Sequence, residues 1–395
     1  MNKKTIRDIK LTNKLVLLRV DYNVSLLSGS RVADDTRISQ SLPTIRYVLT
    51  QKCPLFIVSH LGRPEGRREQ KYSLLPVARH LEKLLGNKVN LVREYIDSPE
   101  LMVKARQAKP GSINMLENIR FYPQEEANEP KFSRQLASLG DVYVNDAFGV
   151  DNRAHASTVG VAKWLPAVAG LLLEKEVDTI NRVMNNPQRP LVVIIGGAKA
   201  ETKITIIGRL LKKADTLIVG GGVANTFLKA WGFTVGKSVV NDEMVDLAKQ
   251  LFWKASQSQT RLLLPVDVVV GNLQKNKIFG TVAADKIQAD QQALDIGIKS
   301  QAEFGAVVAK AGTIIWNGPM GVFENPKFCQ GTDFIYHAVA HNRESLSIVG
   351  GGDTLAALKK EDYLKTIDHV STGGGAMLEF IEKGSLPGID ALLDK

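Results

Sequence analysis

The sequence predicts an α/β protein with parallel sheets. Two observations predict it: short apolar runs recur from end to end, and each is followed by a turn and then a longer amphipathic stretch. Strands alternating with helices imply parallel sheets covered on both faces, with ligands at the carboxyl ends of the strands. At 395 residues the chain is also too long for one ordinary domain, so two or three are expected.

In chain order the expected strands cover residues 15–20, 55–58, 113–116, 142–144, 191–195, 216–219, 261–266, 313–316 and 346–349. The residues at their carboxyl ends differ between the halves. The first four strands run into charged and polar groups: "RVDYNV" from Arg19, "SHLGRP" from Ser59, "LENIRF" from Leu116 and "NDAFG" from Asn145. Later exits are glycine-rich: "GGAK" from Gly196, the triplet Gly220 to Gly222, "GGGDT" from Gly350 and "STGGGA" from Ser371. Their irregular spacing excludes a tandem repeat and suggests two sheets with two kinds of ligand. Between the halves, "LLLEKEVDTINRVMNNPQRP" from Leu171 carries apolar residues at helical spacing and ends in a breaker, which marks a rigid connector and the domain boundary.

Formal net charge is +10, but the lysines and arginines are scattered and aromatics are only 6%, which disfavours a nucleic-acid partner and fits a surface that steers small polyanions. Cys53 and Cys329 belong to no disulfide framework or zinc motif, and a reducing cytoplasm fits them best. No apolar stretch approaches a signal peptide or a membrane span.

In the first half Arg19, His60, Arg63, Arg120 and Arg153 lie at or just past strand ends, and Arg37 follows the first strand. Arginines gathered in this way suit a small phosphorylated carboxylate, although any one alone reads more readily as a salt bridge. Asp21 and Asn23 either accept from a substrate hydroxyl or terminate the strand. The second half reads as a nucleotide site, because glycine turns and helix N-termini bring N–H groups to phosphate oxygens. Glu324 is placed for a ribose hydroxyl, and Asp353 for Mg²⁺, for an N-cap, or for both. Lys199 and Lys203 are four residues apart, so a helix starting directly after the glycines puts both on one face of its first turn.

The chain contains no HExxH, GxSxG or paired nucleophile and base. A carboxylate acceptor has already lost its proton near neutral pH, so phosphoryl transfer to it needs positioning and charge neutralisation alone. A dinucleotide-dependent dehydrogenase requires GxGxxG after a strand, and "GGAKAETK" lacks it.

"RVDYNV", "DDTRI", "SHLGRP", "LENIRFYPQEE", "NDAFG", "RAHAST", "GGAK", "WNGPMGVFE", "GGGDT" and "STGGGAMLEF", in this order, resemble the phosphoglycerate kinase family from about residue 15 to the C-terminal "LPGIDAL". The resemblance implies two Rossmann-like, doubly wound parallel-sheet domains joined by a helical hinge. They would comprise residues 1–172 for 3-phosphoglycerate, 173–187 as hinge and 188–376 for nucleotide, with 377–395 packing back on the first domain. It implies a cytoplasmic monomer that reversibly moves the acyl phosphate of 1,3-bisphosphoglycerate to MgADP, giving 3-phosphoglycerate and MgATP. The glycerate ligand would meet Asp21, Asn23, Arg37, His60, Leu61, Gly62, Arg63, Arg120 and Arg153. The nucleotide would meet Lys203, Asn317, Glu324, Gly350, Gly351, Gly352, Asp353 and Thr354, with Asp353 also near Mg²⁺. Arg37, Lys199, Gly373 and Gly374 would stabilise the phosphoryl group in flight, and Arg19 falls back to a structural role. Tyr22, Ser25, Asn152 and Ala200 depart from the family's usual Phe, Pro, His and Val.

Overall fold

The computed structural model describes residues 1–27, 31–358 and 361–395. The chain divides into two compact units, Met1–Asp178 with Lys383–Lys395, and Thr179–Glu382. Each is built on a six-stranded, wholly parallel sheet, so the α/β class and the doubly wound layout hold for both.

In the first unit the spatial order is Val89–Val92, Ile113–Leu116, Leu55–Val58, Val16–Val20, Val142–Asp146 and Ala167–Ala169. The central strands are buried along their whole length, which explains why they are mostly apolar. Thr36–Thr50 and Leu75–Leu85 pack against them through Ile38, Ile45, Val77 and Leu81. The second of these helices is stopped by Gly86 in the left-handed conformation. Residues of the C-terminal segment complete this unit: the Leu393 amide donates to the Ala167 carbonyl and the Gly388 amide to that of Asp151, each at 2.9 Å.

The second unit orders its strands Arg261–Leu263, Thr216–Val219, Leu191–Ile195, Thr313–Asn317, Leu346–Gly350 and His369–Ser371. Numbered along this sheet the order is 3-2-1-4-5-6, which diverges between Leu191–Ile195 and Thr313–Asn317 and opens a crevice at their carboxyl ends. A separate three-stranded antiparallel sheet, with Asp267–Asn272 between Lys277–Ala283 and Gln292–Ile296, was not expected from the sequence. The run 261–266 is correspondingly shorter than expected, since its strand stops at Leu263, two residues before Pro265.

The helix Leu171–Asn185 begins in the first unit, and the division between the units falls within it, after Asp178. Its start is held by Asp146, whose Oδ1 accepts from the amides of Leu172 at 2.9 Å and Leu173 at 3.1 Å. Among the described residues no helix is long and apolar enough to cross a membrane.

Candidate functional site

In the first unit the charged strand exits meet around a cavity of about 430 Å³ lined by Arg63, Arg120, Glu126, Arg153 and His155. Arg120 follows the strand Ile113–Leu116 on a short turn whose geometry is set by Asn118. That side chain accepts from the Arg120 amide at 3.1 Å and donates to the carbonyls of Leu61 at 2.7 Å and Tyr72 at 2.9 Å. Arg120 is buried, donating to the Gly62 carbonyl at 2.9 Å and pairing with Glu126 at 3.2 Å. Its Nη2 is buried and has no hydrogen-bond partner among the described residues. Burial, aided by the neighbouring Arg153 cation, lowers its pKa to about 10, so the site holds positive charge that an anion would relieve. Arg63 is exposed and Arg153 partly so.

Arg37, at the start of Thr36–Thr50, donates to Asp21 Oδ2 at 2.8 Å and to the Asn23 carbonyl at 3.1 Å. Asn23 Oδ1 in turn accepts from the Gly62 amide at 2.8 Å. Asp21, Asn23, Arg37 and Gly62 are therefore joined in one network, while the Leu61 carbonyl is held by Asn118. His60 lies buried beneath it.

In the second unit the crevice between the diverging strands carries the glycine turns. The Gly196 amide donates to the Asn317 carbonyl at 2.9 Å and the Gly197 amide to that of Pro319 at 2.7 Å, so the two turns are stitched together. Between them runs Lys203, whose ammonium donates to the Gly196 carbonyl. A Cβ on Gly197 or Gly318, both at positive φ, would come within 2.7 and 2.6 Å of that nitrogen, so only glycine leaves the lysine its channel. Burial lowers the Lys203 pKa to about 8, with nearby Asp353 opposing and Lys199 reinforcing the shift.

Lys199 is not on the helix. The helix starts at Glu201, leaving Lys199 exposed in the turn while Lys203 is partly buried in the helix's first turn; the expected shared face does not form. Lys199 nonetheless lies near enough for its charge to disfavour the Lys203 cation.

Asn317 is buried and donates to the Gly374 carbonyl at 3.2 Å, tying the strand end to the N-terminus of Gly374–Lys383. Thr354 is buried, accepting from the Gly318 amide at 2.6 Å and donating to the Gly350 carbonyl at 3.0 Å. Its hydroxyl is thus spent on the turn. Asp353, second residue of Gly352–Ala357, is exposed. A cavity of about 260 Å³ next to these turns is lined by Ala198, Gly221, Leu294, Val322, Glu324 and Asp353 among others. Its apolar walls suit a flat heterocycle, and its two carboxylates at Glu324 and Asp353 suit the polar part of a nucleotide.

A family model described as phosphoglycerate kinase matches residues 6–384. The chain belongs to the phosphoglycerate kinase family. It is similar to the phosphoglycerate kinase of Moorella thermoacetica, 50% identical with all of both chains covered, and to that of Pelotomaculum thermopropionicum, at 49% with the same coverage. Among solved structures, phosphoglycerate kinase from Coxiella burnetii matches at a TM-score of 0.83 and 42% identity, and that from Pyrococcus horikoshii at 0.85 and 31%. Each alignment covers 98% of both chains. As a phosphoglycerate kinase family member the enzyme is a glycolytic phosphotransferase.

Several residues that build these surfaces escaped sequence reasoning. Asn118, Glu125 and Ser157 are buried polar supports. Leu294, in the middle of the strand Gln292–Ile296, and Val322, in a loop, line the second cavity. Asn118 carried a signal as a polar residue inside the "LENIRF" strand exit, and Glu125 and Ser157 fall within "LENIRFYPQEE" and "RAHAST" without a role of their own being legible.

Proposed function

We propose that the enzyme transfers the acyl phosphate of 1,3-bisphosphoglycerate to MgADP by in-line displacement, and that the units close on each other about the helix Leu171–Asn185 for each turnover. The observation that carries this reading is the division of labour. An arginine-lined cavity suited to a phosphorylated carboxylate belongs to the first unit, while an apolar cavity beside glycine turns belongs to the second. Reacting groups held on separate units meet only by closure, which also excludes water from the transfer.

On this reading Asp21, Asn23, Arg37, His60, Arg63, Arg120 and Arg153 bind the glycerate ligand. Lys203, Asn317, Glu324 and the turn Gly350 to Asp353 bind the nucleotide. Thr354 acts by shaping that turn, because its hydroxyl is already engaged at both ends. Lys199, Arg37 and the helix N-terminus at Gly373 and Gly374 neutralise the phosphoryl group in flight. No general base is required, since the acceptor in the reverse direction is a carboxylate.

Among the described residues no group of three or more His, Cys, Asp and Glu could hold a metal unaided. One exposed carboxylate, Asp353, fits Mg²⁺ that takes its remaining ligands from phosphates and water. When bound, the ion would neutralise phosphate charge. The scattered basic charge and two buried free cysteines support a cytoplasmic monomer acting on small molecules rather than on nucleic acid or membrane. A coupled assay for ATP formation from 1,3-bisphosphoglycerate and MgADP tests the reaction; no ATP above the enzyme-free rate would overturn it.

A further inference from the structure

Arg19 is the one arginine at a strand end of the first unit that has no face left for a ligand. It is 1% exposed, and each of its donor nitrogens has a protein partner. Nε donates to Ser157 Oγ at 2.8 Å, Nη1 to the Val20 carbonyl, and Nη2 reaches His60 Nδ1 at 3.3 Å. Ser157 passes the charge on: its hydroxyl donates to Glu125 Oε1 at 2.6 Å and its amide to Oε2 at 2.9 Å. Glu125 is fully buried, so it is the compensating anion for a buried guanidinium.

The contact with His60 has only one chemical reading. A guanidinium has five N–H donors and no acceptor, so Nδ1 must be the acceptor and cannot carry a proton. In a neutral ring the proton then sits on Nε2. Asp21 Oδ1 lies 3.8 Å from the same Nδ1, a separation that an ion pair would need a protonated Nδ1 to exploit. The closer Arg19 donor excludes that alternative.

We propose that Arg19 is a positioning residue that acts on the substrate through His60: by donating to Nδ1 it fixes the ring as the Nε2–H tautomer, so that His60 presents the glycerate ligand with a neutral hydrogen-bond donor in a site otherwise lined by cations. The charged groups facing His60 are Arg19 and Asp21 on its neighbouring strand and strand exit, Arg37 on the following helix, and Arg120 and Arg153 on the other exits. Burial, followed by those four arginines, holds its pKa well below the ordinary range, in agreement with a ring that stays neutral. The consequence is a division among the ligand groups. The arginines supply charge, and His60 supplies direction without adding a further like charge to a crowded site.

The inference rests on the assignment of the glycerate ligand to the first unit, and the first measurement separates the two because it needs no substrate. Two-bond ¹⁵N–¹H correlation spectra of the histidine-labelled, ligand-free enzyme, assigned with His60→Gln, read the protonated nitrogen directly. The expected result is an unprotonated Nδ1, a protonated Nε2 and no titration from about pH 5.5 to about 8.5, a range in which an ordinary histidine changes charge. A proton on Nδ1, or titration to the imidazolium within that range, would overturn the proposal. Arg19→Met should release the ring to mix tautomers or titrate, and should raise the 3-phosphoglycerate KM about threefold to thirtyfold with kcat and the nucleotide KM nearly unchanged. If removal of the buried charge prevents folding, Ser157→Ala, which keeps the guanidinium and removes its Nε acceptor together with one donor to Glu125, should produce a smaller change of the same kind. An unaltered His60 spectrum in a folded Arg19→Met enzyme overturns the role of Arg19. A correct tautomer combined with an unchanged 3-phosphoglycerate KM in His60→Gln overturns the substrate assignment instead.

Discussion

Lys203 donates its ammonium to the carbonyl oxygen of Gly196, seven residues earlier, through a channel that only Gly197 and Gly318 leave open. Lys199 has no such engagement among the described residues and stands exposed in the turn before the helix. The two lysines therefore differ in what their removal should do. Lys203→Ala loses the brace of the turn and, on the proposed assignment, a nucleotide contact, so it should raise the nucleotide KM. Lys199→Ala should lower kcat by about 10²–10³ with little change in either KM, as for loss of one preorganised donor to a transferring group. Steady-state kinetics with MgATP and 3-phosphoglycerate varied separately check this. A normal kcat with a raised nucleotide KM in Lys199→Ala would reverse the assignment.

The same burial gives Lys203 a pH signature. Its pKa is about 8, against an ordinary 10.5, so in the free enzyme it loses its charge as pH rises through about 8. Nucleotide kcat/KM should fall across that window, and the fall should vanish in Lys203→Met. A flat wild-type profile between about pH 7 and about 9 would contradict it.

Arg63→Ala should weaken 3-phosphoglycerate binding by about 1.5–3 kcal/mol while leaving nucleotide binding intact, because a charge-assisted fork is lost from one unit only. Arg120→Ala should cost more, since it also frees the Gly62 carbonyl and Glu126. Calorimetry with each ligand separately distinguishes them; equal losses for both ligands would mean the two cavities are wrongly assigned.

Asp146 caps the helix Leu171–Asn185 from a neighbouring strand, and burial raises its pKa from 3.8 to about 7. Between those values the folded protein holds a proton that the unfolded chain has released, so this group's contribution to stability falls as pH rises through the window. Asp146→Asn keeps an acceptor and should flatten that dependence. Asp146→Ala leaves two amides without it and should cost about 1–3 kcal/mol. Denaturant unfolding at several pH values reads both, and an unchanged slope in Asp146→Asn would refute the protonation argument.

Closure predicts that 3-phosphoglycerate and MgADP together reduce the radius of gyration more than either alone. Small-angle scattering with the same radius in all four ligation states would contradict it.

The central strands could be read from the sequence because strands such as Leu191–Ile195 are buried on both faces and hence continuously apolar. Val89–Val92, Ala167–Ala169 and His369–Ser371 could not: each is short, and their residues are polar in part or too small to mark a strand. The antiparallel sheet escaped because Lys277–Ala283 is largely exposed and so carries no apolar run. In the site, charged residues at strand exits were legible because uncompensated charge there has no packing use. Asn118, Glu125 and Ser157 were not, since a buried polar residue is defined by partners distant in sequence: Glu125 and Ser157 are 32 residues apart. The position of Lys199 turned on where a helix begins, a boundary that periodicity does not resolve.

The C-terminal segment has a further consequence, for the order in which the protein is made. Residues 383–395 supply hydrogen bonds to Ala167 and Asp151, and the Lys4 amide donates to the Leu393 carbonyl, yet the whole second unit is translated before them. As the ribosome works from one end to the other, the first unit emerges early but waits for its final strip until the second has been synthesised. Its finished form is therefore a late event in biosynthesis, and a chain stalled anywhere in the second unit carries a first unit that is still open at Asp151.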